Sequence, residues 1–540
     1  MKKRIFALLL VLALALSLGA CGGTANPTPS ADPGTPSSKP STPPTGTSTG
    51  TSTPAPGKEV KYAETIEMLS ESGVASISPF GPGATGGSYR MIYSCVYDRL
   101  LAYTEKGEII PELALSWDTK DSKTYTFKLR NDVYFSNGEK FTAQSVVDTW
   151  EIGKAAAGSL AIDTWRLVEK ATAIDENTVE LTLATVNVDF IYFLTLPGGS
   201  IVNKKEIEKD PIKGAWIGTG AFIVTDFVSS DRTVLTRNDD YWGTPAITKE
   251  IIVRWVPEVA ARTIKLKNNE SQLSFNTAPQ DLEMFQKDEN YQVIDFISNA
   301  TNSIGFNMTH PICGDINFRK AVAYAINRQE IAAVASGKWA IPAEDDGTFW
   351  GYGTEFRNSD IKLIPQDLDL AKEYLAKSPY KGEEIELISG NPDTNKGAEM
   401  IKEQLGKIGI NLKLFQTDNA TLGTYAKYAD NKAQMVHYVN GINNSASSVR
   451  SVLYPNGAGN RSSYSNTKIN ELLDKAPTVA DATERAKLYK EIQAIVAEDL
   501  PYINVYYAIR TIVTAKGLGG IVLNPDLNHG FRGVYLELDD

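Results

Sequence analysis

Histidine and cysteine are scarce: His310, His437, His529, Cys21, Cys95 and Cys313 are scattered through 540 residues. No four of them cluster at the spacing of a zinc or nickel cage, so neither a metal site nor a cofactor is expected. Positive charge is also short, because 54 Lys and Arg against 65 Asp and Glu leave a formal net charge of -11. An acidic surface lacks the cations that neutralise phosphates, which excludes nucleic acid as a partner. Catalytic signatures are few. HExxH and GxxxxGK[ST] are absent, and the SxxK matches Ser465–Lys468 and Ser378–Lys381 have no KTG or SDN partner, so an enzyme is not expected. The apolar run Ile5 to Leu16 is too short to cross a membrane.

What is there begins with Lys2-Lys3-Arg4, that apolar run, and Leu18-Gly19-Ala20-Cys21. The pattern reads as an export signal over residues 1–20, and its end resembles a lipobox, the bacterial lipoprotein signal in which Cys21 is acylated. The chain is therefore expected outside the cytoplasm, anchored to the bacterial cell membrane through lipid only. Residues 22–57 are almost wholly Gly, Ser, Thr, Pro and Ala, without one aromatic, and cannot build a core. As a flexible coil they reach on the order of 30 Å. The folded body is expected to start near Lys58.

Within the body, Thr124 to Leu129 alternates apolar and polar residues as a half-buried strand does, and Asn137-Gly138 supplies the positive φ of a tight turn. A helix is expected to end over Tyr97 to Tyr103 and another to open at Thr142. A βαβ unit is read from strand Ile385 to Ser389, helix Lys396 to Ile408 and strand Ile410 to Phe415, which implies a parallel pair. Asn302 to Asn307 reads as a short strand. Asp481-Ala482-Thr483-Glu484 opens a helix to Leu500, and Tyr502 to Thr514 is a long strand. Gly81 to Gly86 matches GxGxxG, but proline in the turn and the antiparallel segments that follow argue against a dinucleotide site.

Three passages carry a resemblance: Tyr97 to Trp150, Gly218-Thr219-Gly220-Ala221-Phe222 with Leu235 to Gly243, and Asn302 to Ala332. In order and content they resemble the family 5 solute-binding proteins of ABC importers, the peptide- and nickel-binding group, in lipoprotein form. The chain departs from that pattern at Asn268 to Gln272. The resemblance implies an α/β, two-lobed, periplasmic-binding-protein-like fold of type II, with mixed sheets, flanking helices and a ligand cleft between the lobes. Lobe one would take residues 58–302 and 515–540, lobe two 303–514, with closure around a ligand that touches both.

The same resemblance puts the loop with Ser78, Pro79 and Phe80 at the cleft edge. From the residues themselves, Trp350 and Tyr352 form an aromatic pair in a glycine-rich loop. Asn440, Asn443 and Asn444 both donate and accept, and Arg461 could take a carboxylate bidentately. Peptide binders of the family commonly hold an amino terminus with an aspartate where this chain reads Tyr438 to Ser445, with no carboxylate. Arg319 is read as a structural partner of Asp315. The expected ligand is an oligopeptide, delivered by a monomer to ABC permease transmembrane subunits. An oligosaccharide is the second reading, favoured by the missing aspartate and the many aromatics and amides. A nickel chelate and a non-transport peptide receptor are further alternatives.

Overall fold

The computed structural model describes residues 60–538 apart from 72, 82–86, 105–107, 157–158, 160, 344–346, 349, 443–444 and 525–528. Cys21, Asn443, Asn444 and most of the GxGxxG match lie outside the described residues. No described helix is long and apolar enough to cross a membrane.

An 11-stranded mixed sheet runs through the body. Its order is Leu412–Gln416, Ile385–Ser389, Met435–Gly441, Tyr291–Phe306, Tyr502–Ala515, Leu273–Phe275, Thr65–Ser70, Glu250–Trp255, Arg232–Arg237 and Phe222–Val228, with Ala340–Pro342 added to the side of Tyr502–Ala515. Ile385–Ser389 pairs parallel with Leu412–Gln416, as the βαβ pattern requires. The helix between them starts at Pro392 rather than Lys396, because Asn391 caps it and proline suits the first turn. A separate antiparallel sheet carries Thr124–Leu129, where Tyr125, Phe127 and Leu129 are buried. Two expectations are corrected. The helix Gly87–Val96 ends before Tyr97, and Leu101–Tyr103 is a strand. The strand containing Asn302 runs for 16 residues and not six.

The apolar cores gather on two sides. One collects residues from Ile66 to Val253 together with Leu273, Ile512, Leu518, Phe531 and Val534, so the C-terminal tail packs with the N-terminal half. A second and a third draw on Ile304 to Tyr506, and a small fourth one joins Leu266, Leu282, Phe285, Trp339 and Val513. Tyr502–Ala515 serves both, giving Ile512 to the first and Ile503, Val505 and Tyr506 to the second. Two adjacent strands of 16 and 14 residues thus carry the backbone between the cores.

The first two resembling passages meet at one buried ionic knot. Asp98, fully buried, accepts from the Tyr241 hydroxyl at 3.2 Å and from Trp242 Nε1 at 2.8 Å, and pairs with Arg532 of the tail at 3.2 Å. Arg532 Nη2 also reaches Glu112 at 2.7 Å, and Glu112 accepts from Arg99 Nε at 3.3 Å. Burial pushes the Asp98 carboxyl up to about 6 against the pull of Arg532. Burial also raises Glu112, but Arg532 and Arg99 outweigh it and hold that carboxyl below its usual range. Arg319 is structural too, although its partners differ from the expected one. It donates to the carbonyl oxygens of Asp499 and Gly314, while Asp315 caps its own helix by accepting from the amides of Asn317 and Phe318.

Candidate functional site

A cavity of about 880 Å³ lies against the two long strands where their pairing loses register, between Ile297 and Thr301 and again between Asn302 and Ser303. Such irregularities re-aim side chains and are common beside binding sites. Phe296, Asn302 and Ala508 to Thr511 line it from these strands. Phe275 to Leu282, His529 and Phe531 line it from one side, and Ser336, Trp339, Asn391 to Asp393 and Lys396 from the other. The helices Val259–Lys267, Pro279–Lys287 and Pro392–Gly406 all open on the cavity with their N-terminal residues. Their dipoles favour negative charge there.

Polar atoms in this lining are left wanting. Asn302 is 2% exposed, and among the described residues its Oδ1, Thr277 Oγ1 and Arg510 Nε find no hydrogen-bond partner. A buried acceptor or donor without a partner costs about 1–3 kcal/mol, so together they describe a surface waiting for a polar ligand. Asp393, half-buried, belongs to the same lining. Burial raises its carboxyl above the ordinary value, and the cations Arg510 and Lys396 oppose the rise. The lining thus holds a cation and a carboxylate side by side.

An aromatic group completes it. His529 lies parallel to Phe275 at 6.0 Å between ring centres and edge-on to Phe296 at 4.9 Å. Its Nδ1 accepts from the Asn524 amide at 3.0 Å, so the ring hydrogen sits on Nε2. Burial, with Arg90 nearby, lowers its pKa to about 4 and keeps the ring neutral at pH 7.

None of the described residues singled out from sequence lines this cavity. Ser78, Pro79 and Phe80 form a tight turn: Ser78 Oγ accepts from the Phe80 amide, the Ser78 carbonyl accepts from the Tyr93 hydroxyl at 2.8 Å, and Phe80 packs in the first core. Trp350 is fully buried, edge-on to Tyr489. Tyr352 is 41% exposed, with its ring against Tyr507 and beneath Arg357. Asn440 is buried on a strand facing Thr301 and donates to Ser303 Oγ at 3.2 Å. Arg461 donates to the Gly423 carbonyl at the end of a short helix. Sequence reasoning missed Asn302, Thr277, Asp393 and Arg510. A signal existed for two of them: Thr301-Asn302-Ser303 is a polar triplet inside a strand, and Arg510 is the one charge in the apolar run from Tyr506 to Val513.

The family model for bacterial extracellular solute-binding proteins, family 5 middle, matches residues 108–464. Di/tripeptide-binding protein 1 of Pseudomonas aeruginosa is 28% identical over 480 residues, 82% of this chain and 88% of its own length. The dipeptide-binding protein of Escherichia coli is 25% identical over 521 residues, 88% of this chain and 95% of its own. Among solved structures, DppA of Helicobacter pylori in complex with the peptide STSA superposes with a TM-score of 0.76 at 24% identity, covering 88% of this chain and 99% of that one. NikA of Brucella suis in complex with Fe(III)-EDTA superposes with a TM-score of 0.79 at 23% identity, covering 87% and 99%. These likenesses carry the fold alone: the two-lobed architecture of periplasmic binding proteins, with mixed sheets and flanking helices.

Proposed function

Because the chain belongs to the bacterial extracellular solute-binding proteins of family 5, we propose that its solute is a short oligopeptide, held in the 880 Å³ cavity and delivered to an ABC permease. The observation that carries this reading is the lining's unmet polar atoms. Asn302 Oδ1 wants a donor and Arg510 Nε wants an acceptor, and each peptide group of a ligand offers one N–H and one C=O. Asp393 supplies a carboxylate for the ligand's ammonium end, the role for which the Tyr438 to Ser445 loop has no acidic residue. Arg510 and the three helix N-termini suit its carboxylate end. The cavity volume lies within the roughly 300–1,000 Å³ common for small-ligand sites.

The protein on this reading is a carrier without catalysis, built from lobes near 58–302 plus 515–540 and 303–514, and tethered as a monomer through acylated Cys21. The curated relatives named for di- and tripeptides support the ligand class. A thermal-shift screen of peptide and oligosaccharide pools tests it. Saturation at 100 times Kd should stabilise the body by about 2.7 kcal/mol. A shift with oligosaccharides or nickel–histidine and none with any peptide would overturn the peptide reading.

A further inference from the structure

Four rings in the lining of the main cavity take no part in the peptide contacts assigned above: Phe275, Phe296, His529 and Phe531. They pack as a herringbone. His529 lies flat against Phe275, with 9° between the planes, and edge-on to Phe296, while Phe531 stands edge-on to Phe275 at 5.8 Å and to His529 at 6.3 Å. His529 and Phe531 are buried, whereas Phe275 and Phe296 keep part of their surface open. Phe275 ends the strand Leu273–Phe275, and the turn after it is held firmly: Asn276, at a φ of 51°, donates from Nδ2 to Glu71 Oε1 at 3.0 Å, and its carbonyl accepts from the buried Arg262 at 3.2 Å. Arg510 stands beside the open rings. Phe296 is paired with Arg510 across the two long strands, and Phe275 is paired with Ile512 two residues further on. Paired residues share a face of a sheet, as do residues two apart on one strand, so Phe275, Phe296 and Arg510 rise from one face as neighbours, with opposed Cβ atoms about 5 Å apart.

We propose that this ring group is a subsite for an aromatic side chain on the C-terminal residue of the bound peptide. The proposal rests on the peptide reading above, in which Arg510 takes the ligand's carboxylate, and narrows it to peptides that end in an aromatic residue. A residue's carboxylate and its side chain leave the same Cα, so a carboxylate held at Arg510 delivers the side chain beside it to the neighbouring rings. A fifth ring extends a herringbone in the edge-on or offset geometry that aromatic pairs favour, which adds to the gain from apolar burial alone. The open faces of Phe275 and Phe296 are backed by buried rings, so little side-chain freedom is lost when the ligand's ring arrives.

Calorimetric titration of the full chain with Ala-Phe and Phe-Ala, and with Ala-Ala-Phe and Phe-Ala-Ala, compares ligands of one composition that differ only in which end carries the ring. In at least one pair the peptide ending in Phe should bind about tenfold or more tightly. Replacing that terminal Phe by Leu should weaken it about threefold or more, because leucine buries apolar area without the ring geometry. Phe296→Leu and Phe275→Leu should each lower the Phe-to-Leu ratio toward one; the ratio is read within each variant, so a partial loss of folded protein leaves it unchanged. In the wild type, reversed peptides that bind as well, or Leu endings that bind as well as Phe endings, overturn the subsite and leave the peptide reading standing. A wild-type preference for Phe that survives unchanged in both variants overturns the assignment to this ring group. No binding of any peptide overturns both readings.

Discussion

Acidification from pH 7 to pH 5 is expected to cost the folded body about 2 kcal/mol through His437 alone. His437 is fully buried, its Nδ1 donates to the Thr394 carbonyl at 2.9 Å, and its Nε2 finds no partner among the described residues. Burial lowers its pKa from 6.5 to about 4, with the Thr394 bond opposing the fall. In the unfolded chain the imidazole titrates near its ordinary value, so between pH 6.5 and 4 the unfolded state binds the extra proton. Stability is therefore fully present above 6.5 and declines as pH falls toward 4. Relief by local movement is restricted, because the ring sits over Gly397, where even a Cβ would meet His437 Cε1 at 2.4 Å. Thr394 belongs to the capping box of the helix whose first turn lines the main cavity, so protonation loosens that wall as well as the core. The assay is urea unfolding at pH 7 and pH 5 for the wild type and His437→Gln. His529 and Asp98 titrate in both proteins and cancel in the comparison. The wild type should lose about 2 kcal/mol more than the variant on acidification. Equal losses in the two proteins would refute the argument.

Asn302→Ala should weaken peptide binding about tenfold while the melting temperature stays level or rises, because it removes a buried acceptor that the empty protein cannot satisfy; calorimetry and thermal melts check it. Trp350→Ala should cost about 3–5 kcal/mol of stability by opening a cavity in the third core, measured by the shift in unfolding midpoint. The thiols of Cys95 and Cys313, both pushed up to about 12 chiefly by burial, should react slowly with a thiol reagent in the native protein and promptly in denaturant; colorimetric thiol counting decides it.

Much of the fold was legible because local pattern and local structure coincide. Tyr125, Phe127 and Leu129 alternate in sequence and are buried in the structure, and Asp481 accepts from the Glu484 amide as its position before a helix implies. Errors came where a neighbour's influence outweighed propensity. Leu101 to Tyr103 pairs with Ile109 to Pro111 and leaves the helical pattern, and Tyr291 to Ala300, mixed in polarity, is held as strand by Tyr502–Ala515. The site was least legible. Thr277, Asn302, Asp393 and Arg510 are brought together by sheet order, and no spacing along the chain connects them. Conspicuous loop residues such as Trp350 were drawn instead into packing.

The most direct measurement is calorimetric titration of wild type and Asp393→Asn with a peptide carrying a free amino terminus and with its N-acetylated form. The wild type should bind the free peptide at least about tenfold better than the acetylated one, through a charge-assisted contact with Asp393, and the variant should lose that difference. Binding of both forms that is equal in the wild type and unchanged in the variant would contradict the assignment of this cavity as a peptide cleft.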